Sequence, residues 1–301
     1  MSSPRRRAEQ QKRHLTSMAI DYVTADRVVE LAFGKLDKPN AKLVFPERGT
    51  LSKQLNALLD EQKEGAAPIL AHTHSPLLAS AGVEMWHRAI HSFLCSVALS
   101  KSSPLWASVS GYYASHFVMR AFAHSMGIFK SFSQKEVIQI SVDKGQFVCT
   151  PLTWSSNSRG EHAFYWKAVK GHPKLLGNDL FRENSERDIN SDSSHRTFAN
   201  YTDHINSFVA LDFPSMDTVA GDVERISRIR LHSVTSPSRE DFPDLQNVQI
   251  LAFQRIIAFQ DFLDEKVSKN RYWRAHRRPG WCKDVMLYQV EEQSVDLSQF
   301  L

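Results

Sequence analysis

Residues 81–101 read AGVEMWHRAIHSFLCSVALSK and residues 104–126 read PLWASVSGYYASHFVMRAFAHSM, and these two stretches decide the fold. In the first, Met85, Ile90, Phe93, Leu94, Val97 and Ala98 recur at helical spacing and face inward. Ser80 stands where an N-cap belongs. Ser103 followed by Pro104 is a favoured cap and first-turn pair for a second helix, and Gly127 is a natural stop. So short a connection makes the two helices antiparallel neighbours. Both are apolar around more than half of their circumference, which places them at the centre of the core. Trp106, Tyr112, Phe117, Phe93 and Leu94 are therefore expected to be buried where the helices cross.

On the N-terminal side, Ile20, Val23, Val28, Leu31 and Ala32 mark a helix over about 16–35, with Thr16 or Ser17 as cap. Residues 37–49 contain two prolines and read as a connector. Thr50 then caps a helix with a Leu51, Leu55, Leu58 and Leu59 stripe that ends at Gly65. On the C-terminal side the texture becomes extended. EVIQISV (136–142) and QFVCTPL (146–152) form a hairpin around DKG (143–145), and HAFYWKAV (162–169) reads as a third extended piece. Residues 183–206, crowded with Ser, Asn and Asp, read as a polar loop. Helical pattern returns at 216–232 and at 243–268, the latter opened by Asp241 and Pro243, and residues 284–292 read as a closing strand. The expected fold is mainly α, a helical bundle with a β-hairpin insertion (136–170) and a short N-terminal helical extension. Residues 1–65 make the basic arm and helical pair, and residues 66–301 make the bundle.

Composition sets the outer limits. In 301 residues, 42% hydrophobic and 23% charged, there is material for a real core. Cys95, Cys149 and Cys282 are odd in number and far apart, so neither a disulfide framework nor a zinc ribbon is written here. No apolar h-region follows the N-terminal basic residues and no apolar run reaches membrane length, so the expected place is the cytoplasm, with no membrane partner. The net charge of +4 is unevenly spread. Arg5, Arg6, Arg7, Lys12 and Arg13 crowd the first fourteen residues, and VSKNRYWRAHRRPGWCK (267–283) holds six basic residues and no acid.

Motifs of common chemistry are absent. There is no GxxxxGK[ST], GxGxxG, HExxH or CxxC, and SVSGYY (108–113) is not a nucleophile elbow. His72 and His74 share one face of an extended segment, and His87 and His91 stand four apart on a helix, but no third ligand accompanies either pair. No metal or other cofactor is expected. His116 and His124 stand eight apart, on one helix face, as members of a polar seam in the bundle. In the basic C-terminal stretch, Lys269, Arg271, Arg274, Arg277 and Arg278 suit phosphate oxygens, and Trp273 among them suits stacking on unpaired bases. These six are the candidate nucleic-acid-binding residues, for DNA or RNA.

The stretch Gly111-Tyr112-Tyr113-Ala114-Ser115-His116-Phe117, running into Met119-Arg120-Ala121-Phe122, resembles the characteristic helix of HEPN proteins, a superfamily of helical bundles. The resemblance covers residues 80–268 at most, and about a dozen of them are specific. It implies a bundle used either as a ribonuclease or as a binding module, in a bacterial antiphage defence assembly with other protein subunits, a homodimer among the arrangements. The family's catalytic signature is an arginine and a histidine with four to six residues between them. Arg120 and His124 have three between them, one short of it. Arg225 and His232 have six, although Ile226 stands where a polar residue is usual. The resemblance therefore implies a non-enzymatic or degenerate accessory subunit of a nucleic-acid-associated complex. The alternatives are an active, metal-independent ribonuclease in which Arg225 and His232 act on the RNA 2′-hydroxyl, and a purely structural protein–protein interaction subunit.

Overall fold

The helix at the centre begins where Pro104 supplies a preset backbone angle at the first turn, after Ser103, and runs to Ser125. Gly127 follows with φ +74°, the left-handed conformation that ends helices cheaply. A Cβ at Gly127 would press on Val28 and Ile140, and the Gly127 carbonyl accepts from the Ile140 N–H at 2.8 Å. Helix, sheet and N-terminal helix thus meet at one glycine.

The structure, a computed structural model, describes residues 20–39, 55, 57, 60, 71–100, 103–130, 137–152, 161–172 and 245–271. Among them, in chain order, stand α1 (Tyr22–Gly34), α2 (Ala71–Leu99), α3 (Pro104–Ser125), β1 (Ile128–Lys130), β2 (Val137–Asp143), β3 (Gln146–Leu152), α4 (Glu161–Lys170) and α5 (Asn247–Lys266). The fold is mainly α with a small antiparallel sheet, in the order β1-β2-β3. The most extensive contact is between α2 and α3, with α5 packed across α3. Residues 55, 57 and 60 are helical, and Leu55 joins the same core as α1 through α5.

The hairpin follows its sequence signal. Asp143 pairs with Gln146, and the two residues between them, Lys144 and Gly145, both have positive φ. That is the turn whose twist matches the strands. The sheet also has a strand the periodicity did not disclose, β1, whose Phe129 pairs with Ile138.

Other boundaries differ from the expectation, each for a physical reason. The first helix starts at Tyr22, because Asp21 caps it by accepting from the N–H groups of Val23 and Thr24. The second starts at Ala71, so Ser80 is a buried interior residue and not a cap. Pro76 falls early in it, where a missing N–H costs one bond near the helix start. Positions 72 and 74 consequently lie on a helix, where residues two apart do not face each other. The fifth helix opens with a capping box in which Gln246 and Gln249 exchange side-chain and backbone bonds, three residues beyond Pro243. Residues 162–169 are not extended: they form α4, which buries Phe164, Tyr165, Trp166, Ala168 and Val169 and leaves Lys167 and Lys170 exposed.

At the crossing, Phe93 and Tyr112 are buried as expected, Leu94 and Phe117 are half-buried, and Trp106 is 54% exposed. The polar loop (183–206), the helix expected at 216–232 and the strand expected at 284–292 lie outside the described residues, as do residues 1–19. Among the described residues, no helix is long and apolar enough to cross a membrane.

Candidate functional site

Residues four apart on a helix lie one above the other, so His116, Arg120 and His124 form a single column along α3. Helix α4 sets Tyr165 against that column. The Tyr165 ring meets His116 edge-on at 6.0 Å, lies 5.3 Å from the Arg120 guanidinium and brings its hydroxyl 3.5 Å from His124 Nε2. The same hydroxyl accepts from the Lys130 backbone N–H at 3.3 Å, which ties β1 to the column. Phe129 stacks on the His124 ring at 4.5 Å. The shared face of His116 and His124 is thus a polar seam, and α4 is its other wall.

A second part of the seam comes from α5. Arg255 is completely buried, donates from Nη1 to Ser115 Oγ at 2.9 Å and lays its guanidinium 4.6 Å from the centre of the Trp166 ring. A charge removed from water in this way needs bonds and a polarisable face to be tolerated. Nearby on the bundle, Gln249 donates to Ser96 and Ser100 and fixes α5 against α2.

Electrostatics decide what this seam does. Burial, then the charges of Arg120 and Arg88, hold His124 well below the ordinary histidine range, against the opposing influence of the Ala81 backbone. At neutral pH it is an uncharged, internal ring. Such a ring packs between helices as a neutral group. On the outer side of α2, Cys95 Sγ stands 3.9 Å from His91 Nδ1, and burial pushes its thiol up, so it stays protonated. Among the described residues, no three His, Cys, Asp or Glu side chains converge to hold a metal.

Of the sequence candidates for nucleic-acid contact, Lys269 and Arg271 are described, and both are exposed. They follow α5 on a turn pinned to the end of α1. Asn270 is buried and donates to the Leu36 carbonyl at 2.7 Å, and the Arg271 N–H donates to the Pro39 carbonyl at 3.2 Å. Trp273, Arg274, Arg277 and Arg278 lie outside the described residues, and so do Arg225 and His232. Arg120 and His124, one residue short of the ribonuclease spacing, are brought together, with His124 deep in the core.

Sequence reasoning missed Tyr165, Trp166 and Arg255. One signal was present for the last: Arg255 interrupts the apolar run LAFQRIIAF of α5, and an arginine there must find bonds inside. Compared with protein-family models, with curated proteins and with solved structures, the chain finds no match in any of the three.

Proposed function

We propose that this chain is a non-enzymatic accessory subunit that binds the phosphate backbone of DNA or RNA through the basic segment following α5, within an assembly of other protein subunits. The observation that carries the reading is the anchored exit of that segment. The turn at 267–271 is fixed to residues 36–39, so the acid-free stretch 267–283 begins at a defined point on the bundle. Fixing one end of a binding segment lowers the entropy that must be given up when it engages a partner. The neutral, enclosed His124 supports a structural role for the seam. The resemblance to HEPN bundles extends the reading to an antiphage defence complex.

Binding to labelled nucleic acid as a function of salt tests it. Each phosphate contact on duplex DNA adds about 0.9 to the log–log slope, so changing Arg274, Arg277 and Arg278 together to Ala should flatten it by up to about 3 units. Melting should change little. If the triple variant instead loses a protein partner in pull-down while nucleic-acid binding is unchanged, the segment is a protein-docking element. Cleavage of RNA in the presence of chelator, lost in His232→Ala, would replace this reading with the ribonuclease.

A further inference from the structure

Acids at the end of α1 and just beyond it sit where the basic segment begins. Lys269 sends its ammonium to Asp37 Oδ2 at 2.9 Å, while its backbone N–H donates to Asp37 Oδ1 at 2.8 Å. One turn earlier, Lys266 reaches Glu30 at 2.6 Å and Glu265 at 3.4 Å. Burial pulls the Lys266 ammonium down, and the bond and charge of Glu30, with those of Glu265, outweigh that and leave it raised. Val267, between the two lysines, is buried, and so is Asn270, just beyond them. Two helix ends more than two hundred residues apart in sequence are therefore clasped by alternating charge and burial.

The two pairs differ in exposure. The Lys266 side chain is 15% exposed, whereas that of Lys269 is 72% exposed and its partner Asp37 only 19%. Asp37 is a carboxylate held in place, with a backbone N–H on one oxygen and a solvent-facing ammonium on the other. A nucleic-acid phosphate offers the same kind of oxygen to the same ammonium.

Resting on the nucleic-acid reading above, we infer that Asp37 is an internal phosphate mimic. It occupies Lys269 and sets the start of the phosphate track at Arg271, the first basic residue beyond the clasp. Asp37 keeps its backbone N–H donor when the ammonium leaves, so release of Lys269 does not strip the carboxylate of its hydrogen bonds. Exposed pairs of this kind are weak and screened by salt, so a dense array of phosphates competes for the lysine as salt is lowered. Asp37 thereby limits affinity.

The test is the salt dependence of binding to a fluorescently labelled duplex DNA, with the full chain. Asp37→Asn retains an oxygen for the Lys269 N–H and removes the charge. It should bind more tightly and steepen the slope by about 0.9, one additional phosphate contact. Adding Lys269→Ala to that variant should abolish the gain. Asp143→Asn, an equal change of net charge on the exposed hairpin turn, should bind as the unaltered chain does. If Asp37→Asn does not fold, Asp37→Ser replaces it, since a hydroxyl also accepts from the N–H. A slope unchanged in the Asp37 variant, a gain that survives Lys269→Ala, or an equal gain in Asp143→Asn would overturn the inference and leave the nucleic-acid reading standing. Failure of the unaltered chain to bind either duplex DNA or RNA at low salt would overturn both.

Discussion

The two long sides of α3 are built on different chemistry. Toward α2 and α5 it meets small and aromatic residues: Gly82 lies against Ala121 and Ser125, and Phe122 packs edge-on against Phe259 at 4.8 Å. Behind it Phe93 meets Phe253 at 4.9 Å, and the Trp86 indole N–H is satisfied by the Ile256 carbonyl at 3.0 Å. Toward α4 the same helix presents His116, Arg120 and His124 to Tyr165. Both sides are buried, so burial alone does not distinguish them. The apolar side is held by area and fit, which are indifferent to pH. The seam is held by groups whose contribution depends on charge state and bonding.

The apolar side breaks most severely. Phe93 is fully buried, and Phe93→Ala removes its contact with Phe253 and leaves a cavity. The expected loss is about 3–5 kcal/mol by urea unfolding, equal at neutral and mildly acidic pH. A melting curve like that of the unaltered chain would show that α2 and α5 do not meet there. Gly82 tests the fit of the same side. A methyl group there would collide with Ser125 Oγ and lie 3.0 Å from the Ala121 carbonyl. Gly82→Ala should cost about 1–3 kcal/mol, and Ser125→Ala in the same chain should restore part of it. Full tolerance of the methyl group would mean that the helices stand further apart.

The seam responds to pH. His124 has a folded pKa below its unfolded value of about 6.5. Its stabilising effect is therefore complete above that unfolded value and is lost as pH falls beneath it, toward the folded pKa, because only the unfolded chain gains the proton. The slope should approach about 1.4 kcal/mol per pH unit there, and His124→Phe should remove that share of it. Unfolding midpoints for His124→Phe that track the unaltered chain at every pH would assign acid sensitivity to other groups.

How far each region was legible follows from where its causes lie in the chain. The ends of α3 were readable because Ser103, Pro104 and Gly127 act within a few residues. The hairpin turn was readable for the same reason. Helix α4 was not: Phe164, Tyr165 and Trp166 favour strands in isolation, and packing against α3 overrides that preference. The helical clue was the spacing of its exposed residues, Lys167 and Lys170. The shared face of His116 and His124 follows from arithmetic on one helix. Its partner Tyr165 stands 41 residues from His124, Ser115 stands 140 from Arg255, and Asp37 stands 232 from Lys269. No local pattern encodes those pairs.

The smallest effect sharpens the comparison from outside. Trp106 is the largest side chain on the front of α3, and composition alone would place it in the core. Its position decides otherwise. Trp106, Ser110, Tyr113, Phe117 and Arg120 recur every three or four residues, and all five are exposed or half-buried, whereas the positions between them are buried. They form the third, more exposed face of α3, which borders the seam at Arg120. Tyr113 and Phe117 cover each other on it at 6.3 Å, and Trp106 at its N-terminal end is 54% exposed. A side chain that loses little contact with water on folding contributes little to stability, whatever its size. Trp106→Ala should therefore shift unfolding by no more than about 0.5 kcal/mol, and Phe117→Ala should fall between that and Phe93→Ala. A loss from Trp106→Ala as large as that from Phe93→Ala would make this outer stripe part of the core and remove the distinction among the faces of α3.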